Sequence, residues 1–247
     1  MRAVSLAPSA TAAVHAMGAE ATLLAATEHC VGNHDSVGGW LTPDVERVVS
    51  LDPDVVLTAD ALQAEIAQTL RERGVRVVHT APETLTGVYD AVERVGVAIH
   101  RAEAGTELAA AMRERVARIQ AVTPAESPVV YCEEWPDPPM AAGNWVPDAV
   151  AAAGGRYPFV DAGERSREID EERVRKSDPE HVVLHYCGQG DDADVAAFNN
   201  RWDLDAEVHV LHDDLLNQPS PRLVEGIEAL AREIHGVEIG GECEWSI

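Results

Sequence analysis

One short pattern occurs twice in this chain. Residues 46–57 read ERVVSLDPDVVL and residues 172–184 read ERVRKSDPEHVVL, so ERVxxxDP recurs at an offset of 126 in 247 residues. Each copy predicts a short helix that ends before an Asp-Pro turn, followed by a strand. Proline pushes the residue before it out of the helix, and a VVL run suits a strand covered on both faces. The flanks repeat as well. Strand 3–6, a Pro-Ser turn, a helix over 9–17 and Gly18 open the first half. Strand 128–132, a Pro-rich loop, a helix over 145–153 and the pair Gly154 and Gly155 open the second.

Strands alternating with helices predict an α/β protein of two Rossmann-like lobes with parallel sheets. Between them, residues 101–120 place Leu108, Met112, Val116 and Ile119 on one stripe at helical spacing. This predicts one long backbone helix joining the lobes. The expected divisions are an N-terminal α/β lobe over 1–100, the connecting helix over 101–123, a C-terminal α/β lobe over 124–236 and a tail over 237–247.

Charge narrows the function classes. Nineteen basic against 43 acidic residues leave a net charge of −24, and Lys176 is the only lysine. Such a field repels nucleic acid. In molar salt the Debye length falls to about 3 Å and carboxylate repulsion is screened. A salt-loving source is therefore expected, with greater stability in molar salt than in dilute buffer. No apolar run is long enough to suggest a transmembrane helix. Strand residues follow Arg2 at once, so a cytoplasmic location is expected as the sequence stands, and an extracytoplasmic one if the true start lies upstream. The cysteines at 30, 132, 187 and 243 lack CxxC spacing and indicate neither a disulfide framework nor a zinc ribbon.

Several segments together resemble the helical-backbone (class III) solute-binding proteins of ABC importers for vitamin B12, siderophores and haem. They are VSLAPSAT, ATEHC, ERVVSLDPDVVL, the long helix, PPMAAGNWVPDAVAAAGG and the SPR before the last helix, from about residue 2 to 236. The likeness is closest to the cobalamin-binding members, because Trp40 stands six residues before Glu46, where those proteins place a corrin-contacting tryptophan. Ala12 replaces the usual glutamate after PSAT, and Ala59 and Ser166 replace two further family tryptophans. The resemblance implies a receptor that holds cobalamin or a related metal chelate in the cleft between lobes. It also implies permease docking through Glu46 and Glu172, one per repeat. No resident cofactor is expected, and a monomer is.

Candidate ligand-binding residues lie where loops follow strands. Trp40 and Trp135 offer ring faces to a flat macrocycle. Trp40 follows the flexible Gly38-Gly39, and Trp135 lies in a polar, Pro-rich loop. Ser9, Ala10 and Asn144 offer polar backbone, and Tyr131 and His185 lie at strand ends. Arg165 and Arg167 could make the site locally basic. Trp145 reads as a packing residue. His29, Cys30 and His34 are candidate metal donors, as imidazole and thiol suit transition metals. GxSxG, Walker, HExxH and GxGxxG motifs are absent. Two other readings stay open: a chelatase that inserts metal into tetrapyrroles with His29, His34 and His185, and a stand-alone metal or corrinoid binder.

Overall fold

The computed structural model describes residues 1–238, 240 and 245. They form two compact units. The first comprises Met1–Pro82, Thr86–Met112 and Trp245, and the second comprises Glu83–Leu85, residues 113–238 and Gly240. Most of the expected tail over 237–247, with Cys243, lies outside the described residues.

The first unit is built on β1 (Ala3–Ser5), β2 (Leu23–Ala26), β3 (Asp35–Ser36), β4 (Val55–Ala59) and β5 (Val77–Thr80), in the order β3-β2-β1-β4-β5. Every neighbouring pair is parallel. Its helices are α1 (Pro8–Ala16), α2 (Val45–Ser50), α3 (Ala64–Glu72) and most of α4 (Leu85–Ala98). The core is aliphatic, with Val4, Leu6, Ala25, Val48, Val56 and Leu70 buried together.

Helix α5 (Ala102–Val122) has 21 residues. Its residues through Met112 belong to the first unit and those from Arg113 to the second, so the division falls inside the helix rather than at its ends. Leu108, Met112, Val116 and Ile119 are all buried, as the stripe predicts. Arg115 is also buried on this helix and pairs with Glu228.

The second unit carries β6 (Val130–Pro136), β7 (Pro139–Ala141), β8 (Arg167–Glu168), β9 (His181–Leu184) and β10 (Glu207–Val210), in the order β10-β9-β6-β7-β8. Its helices are α6 (Val146–Ala152), α7 (Glu171–Ser177), α8 (Val195–Arg201) and α9 (Leu223–His235). Strands β10, β9 and β6 are parallel, whereas β7 and β8 run antiparallel to their neighbours. The second sheet is therefore mostly parallel, as expected, with an antiparallel edge at β7 and β8. Asp137 and Pro138 join β6 to β7 as a tight turn, too short for the crossover a parallel pair requires. Residues 133–136, expected in a loop, continue β6.

The repeated pattern folds alike in both units. Asp44 caps α2 by accepting from the Arg47 N–H at 2.9 Å, and Asp170 caps α7 by accepting from Arg173 at 2.8 Å. Val48 and Val174 turn into their respective cores. Asp52 and Asp178 then adopt left-handed φ of 48° and 49° before their prolines. Aspartate tolerates that region better than most residues.

Candidate ligand-binding site

In α/β sheets ligands gather beyond the carboxyl ends of the strands. In the first unit β1 runs straight into α1, whose start has Pro8 and no side-chain cap. The first-turn N–H groups of a helix have no intrahelical acceptor and point outward from its start. Ser9 and Ala10 sit in this turn with their side chains buried. Trp40 is half-buried. Its carbonyl accepts from Gln63 Nε2 at 2.7 Å, and the same amide donates to the Leu6 carbonyl at 2.8 Å. Gln63 Oε1 accepts from the Ala59 N–H at 2.9 Å. One fully buried glutamine thus ties the Trp40 segment to the ends of β1 and β4. Gly38, with φ of 94°, lets that segment turn.

The proposed metal donors of this unit are not brought together. Cys30 Sγ lies 3.0 Å from Thr11 Oγ1 and 3.2 Å from Thr27 Oγ1. Burial pushes its thiol pKa up, so it stays protonated and serves as a link between α1 and the end of β2. His34 Nε2 meets His15 Nε2 at 2.9 Å, and burial together with that neighbour lowers the His34 pKa. His29 is exposed. Among the described residues, the groups of three or more donors close enough to share an ion do not include this trio.

In the second unit the end of β6 holds a buried polar cluster. Glu133 is fully buried and accepts from Tyr131 Oη at 2.8 Å, from Tyr186 Oη at 2.7 Å and from Arg201. Burial raises the Glu133 pKa against the opposing pull of these three donors. Both tyrosine pKa values are pushed up, by burial first and then by Glu133, so the phenols stay donors. The Arg201 guanidinium lies 5.5 Å from the Phe198 ring centroid and 5.3 Å from that of Trp202. A cavity of about 470 Å³ opens beside this cluster, lined in part by Pro136, Tyr186, Gln189, Phe198 and Arg201.

Two sequence-derived candidates are therefore corrected. Tyr131 lies wholly in the core against Phe159, with its hydroxyl committed to Glu133. His185 is also fully buried, its Nδ1 lying 2.5 Å from Asn217 Oδ1. Desolvation drives its pKa down to about 4, so the ring is neutral. Trp135 is 45% exposed at the end of β6, on a strand instead of a loop, and its indole N–H donates to the Asp137 carbonyl. Asn144 is half-buried with φ of 53°, and its backbone N–H and C=O both bond the 163–164 segment. Arg167 pairs with Glu164 at 2.7 Å, and Arg165 is exposed. Trp145 is buried and donates to the Leu216 carbonyl, a packing role.

Glu46 and Glu172 occupy the first turns of α2 and α7 and are exposed. Glu46 accepts from Arg73 Nη1 at 2.5 Å.

A family model described as periplasmic binding protein matches residues 4–203. The chain belongs to that family. A vitamin B12-binding protein of Vibrio cholerae serotype O1 is 24% identical over 250 residues, spanning 92% of this chain and 86% of that protein. A cobalamin-binding protein of Halobacterium salinarum is 28% identical over 210 residues, or 79% of this chain and 57% of that protein. Among solved structures, the periplasmic haem-binding protein HutB of Vibrio cholerae superposes with a TM-score of 0.83 at 17% identity, covering 95% of this chain and 99% of that one. The vitamin B12-binding protein BtuF of the same species gives 0.74 at 22% identity, covering 93% and 94%. At these identities the structural likeness establishes the fold alone. Within this periplasmic binding fold, sequence reasoning missed Gln63, His15, Glu133, Tyr186 and Arg201. Each acts through a partner distant in the chain, and no local spacing marks it.

Proposed function

We propose that this protein is the receptor component of an ABC importer and binds cobalamin or a related metal chelate, such as another corrinoid, haem or a ferric siderophore. The observation that carries the reading is the family match over 4–203, joined to B12-binding relatives that span most of the chain. The residues at the strand ends support it. Trp40 and Trp135 offer indole faces to a flat macrocycle. The first turn of α1 at Ser9 and Ala10 offers backbone N–H groups to amide or carboxylate edges, whereas the Asn144 backbone is committed to the 163–164 segment and leaves only its side-chain amide to offer. The chelatase reading loses support, because His185 is buried and His34 is engaged by His15. Absorbance titration with cyanocobalamin, haem and a ferric siderophore tests the proposal. One of the three binding stoichiometrically without turnover is the expected result, and failure of all three contradicts it.

Glu46 and Glu172 are proposed to dock on permease arginines, on the outer side of the membrane. For Glu46 this means exchanging Arg73 for a partner's guanidinium, a small cost for an exposed pair. Charge reversal at both positions is expected to abolish docking and leave ligand affinity unchanged. Unaltered docking by the double variant contradicts the assignment.

A further inference from the structure

The second unit holds a cluster that the ligand-binding reading does not use. His181 opens β9 and Glu207 opens β10, and the two residues are register partners in the parallel pair. His209, two residues along β10, lies on the same face as Glu207. His181 Nδ1 lies 3.1 Å from His209 Nε2 and 3.7 Å from Glu207 Oε2. One ligating atom from each of the three residues falls within 4.8 Å of the others. The imidazole rings stack with centroids 5.3 Å apart.

We propose that His181, His209 and Glu207 form a binding site for a divalent transition-metal ion of the zinc type, at the amino-terminal edge of the second sheet. Zinc bonds of about 2.0–2.1 Å in a tetrahedron separate the ligand atoms by roughly 3.4 Å. The two separations of 3.1 and 3.7 Å bracket that edge. Glu233 of α9 supplies the supporting layer. Its Oε2 lies 3.1 Å from His209 Nδ1, so the proton of the neutral ring sits on Nδ1 and the Nε2 lone pair faces His181. In the metal-free protein His181 Nδ1–H donates into that lone pair. On binding, the His181 proton moves to Nε2 and the ion takes its place between the rings. Two imidazoles and one carboxylate leave a fourth position for water. Both histidine side chains are 13% exposed and Glu207 is 75% exposed, so the ion enters from the Glu207 side.

The site stands at the end of β9 opposite His185 and rests on no property of the importer reading. Zn²⁺ titration of the intact chain against a chromogenic chelator tests it, with Co²⁺ visible absorption as the coordination signature. The wild-type protein should bind one tight equivalent and give a four- or five-coordinate Co²⁺ spectrum. The pair H181Q/H209Q should lose both. Glu207→Gln, an exposed change that leaves the fold intact, should weaken binding at least about tenfold. Glu233→Gln should weaken it about 10–100-fold, the usual loss when a carboxylate behind a metal-binding histidine is removed. His212→Gln, in the separate His212-Asp213-Asp214 group, should leave the tight equivalent in place. The proposal is overturned if H181Q/H209Q and Glu207→Gln both keep wild-type stoichiometry and affinity, or if His212→Gln alone removes the tight equivalent.

Discussion

The two units are built to one plan and differ where the plan was altered. Read from the edge strand, β3-β2-β1-β4-β5 in the first corresponds to β8-β7-β6-β9-β10 in the second. The shared part is the capped helix, the left-handed aspartate and the strand that follows. The altered part lies on the other side of the central strand. There α1 carries the chain over to a parallel β2 in the first unit, while a tight turn folds it back as antiparallel β7 in the second. The cores differ in the same sense. The first is aliphatic, whereas the second contains Tyr131, Phe159, Tyr186, Phe198 and Trp202. A core with tyrosines at its edge can satisfy a buried carboxylate, and the second unit buries Glu133. Position 55 of the first copy is a buried valine, and its counterpart 126 residues later is His181. The plan tolerates polar chemistry where aromatic and carboxylate partners accompany it.

The largest expected effect comes from removing the polar cluster peculiar to the second unit. Glu133→Leu strands the Arg201 guanidinium and two tyrosine hydroxyls. Breaking a buried pair costs about 3–5 kcal/mol, and because Arg201 is 31% exposed and can partly rehydrate, about 3 is expected. Adding Arg201→Leu should recover a large part of that loss. Urea unfolding of both variants measures it. A loss under about 1 kcal/mol for Glu133→Leu would remove the cluster as a distinguishing support of this unit.

Next in size is a pH effect, also confined to the second unit. The folded-state pKa of His185 is about 4, below its ordinary 6.5, so the unfolded chain takes up the proton first. Its contribution is constant above pH 6.5, falls as pH drops from 6.5 to 4, and is level below. The loss reaches about 2 kcal/mol by about pH 5. Unfolding free energies of wild type and His185→Gln across this window should converge as pH falls. Parallel curves would show that the ring titrates normally.

The smallest effect tests the likeness itself. Asp44→Ala and Asp170→Ala each remove a helix cap and should each cost about 1 kcal/mol. If the repeats are structurally equivalent, the two losses agree within a few tenths. Melting curves that differ several-fold would break the correspondence.

These particulars also show what was legible in the sequence. The duplicated ERVxxxDP pattern, the glycine stops and the stripe on α5 declared two α/β units and a long helix, because each signal is local. The reversal at β7 was hidden, since the turn between β6 and β7 is Asp137-Pro138 in place of the Asn-Gly or Asp-Gly pair that marks a short hairpin. A strand over 128–132 would put Tyr131 at its carboxyl end, but β6 runs on to Pro136 and leaves Tyr131 second in the strand, while His185 does follow β9. Tertiary partners hold both inside, and burial of a polar side chain depends on where those partners fall. Glu133 meets Arg201 across 68 positions and Gln63 meets Trp40 across 23, distances at which no spacing rule operates. Of the candidate residues, the exposure of Trp135 was legible, because a polar, proline-rich surrounding does not suit a core position.

Isothermal titration of the intact chain with cyanocobalamin in molar potassium chloride addresses the receptor reading most directly. One saturable equivalent is predicted, with the ligand recovered chemically unchanged. Binding heats indistinguishable from dilution, together with the same silence from haem and a ferric siderophore, would contradict it.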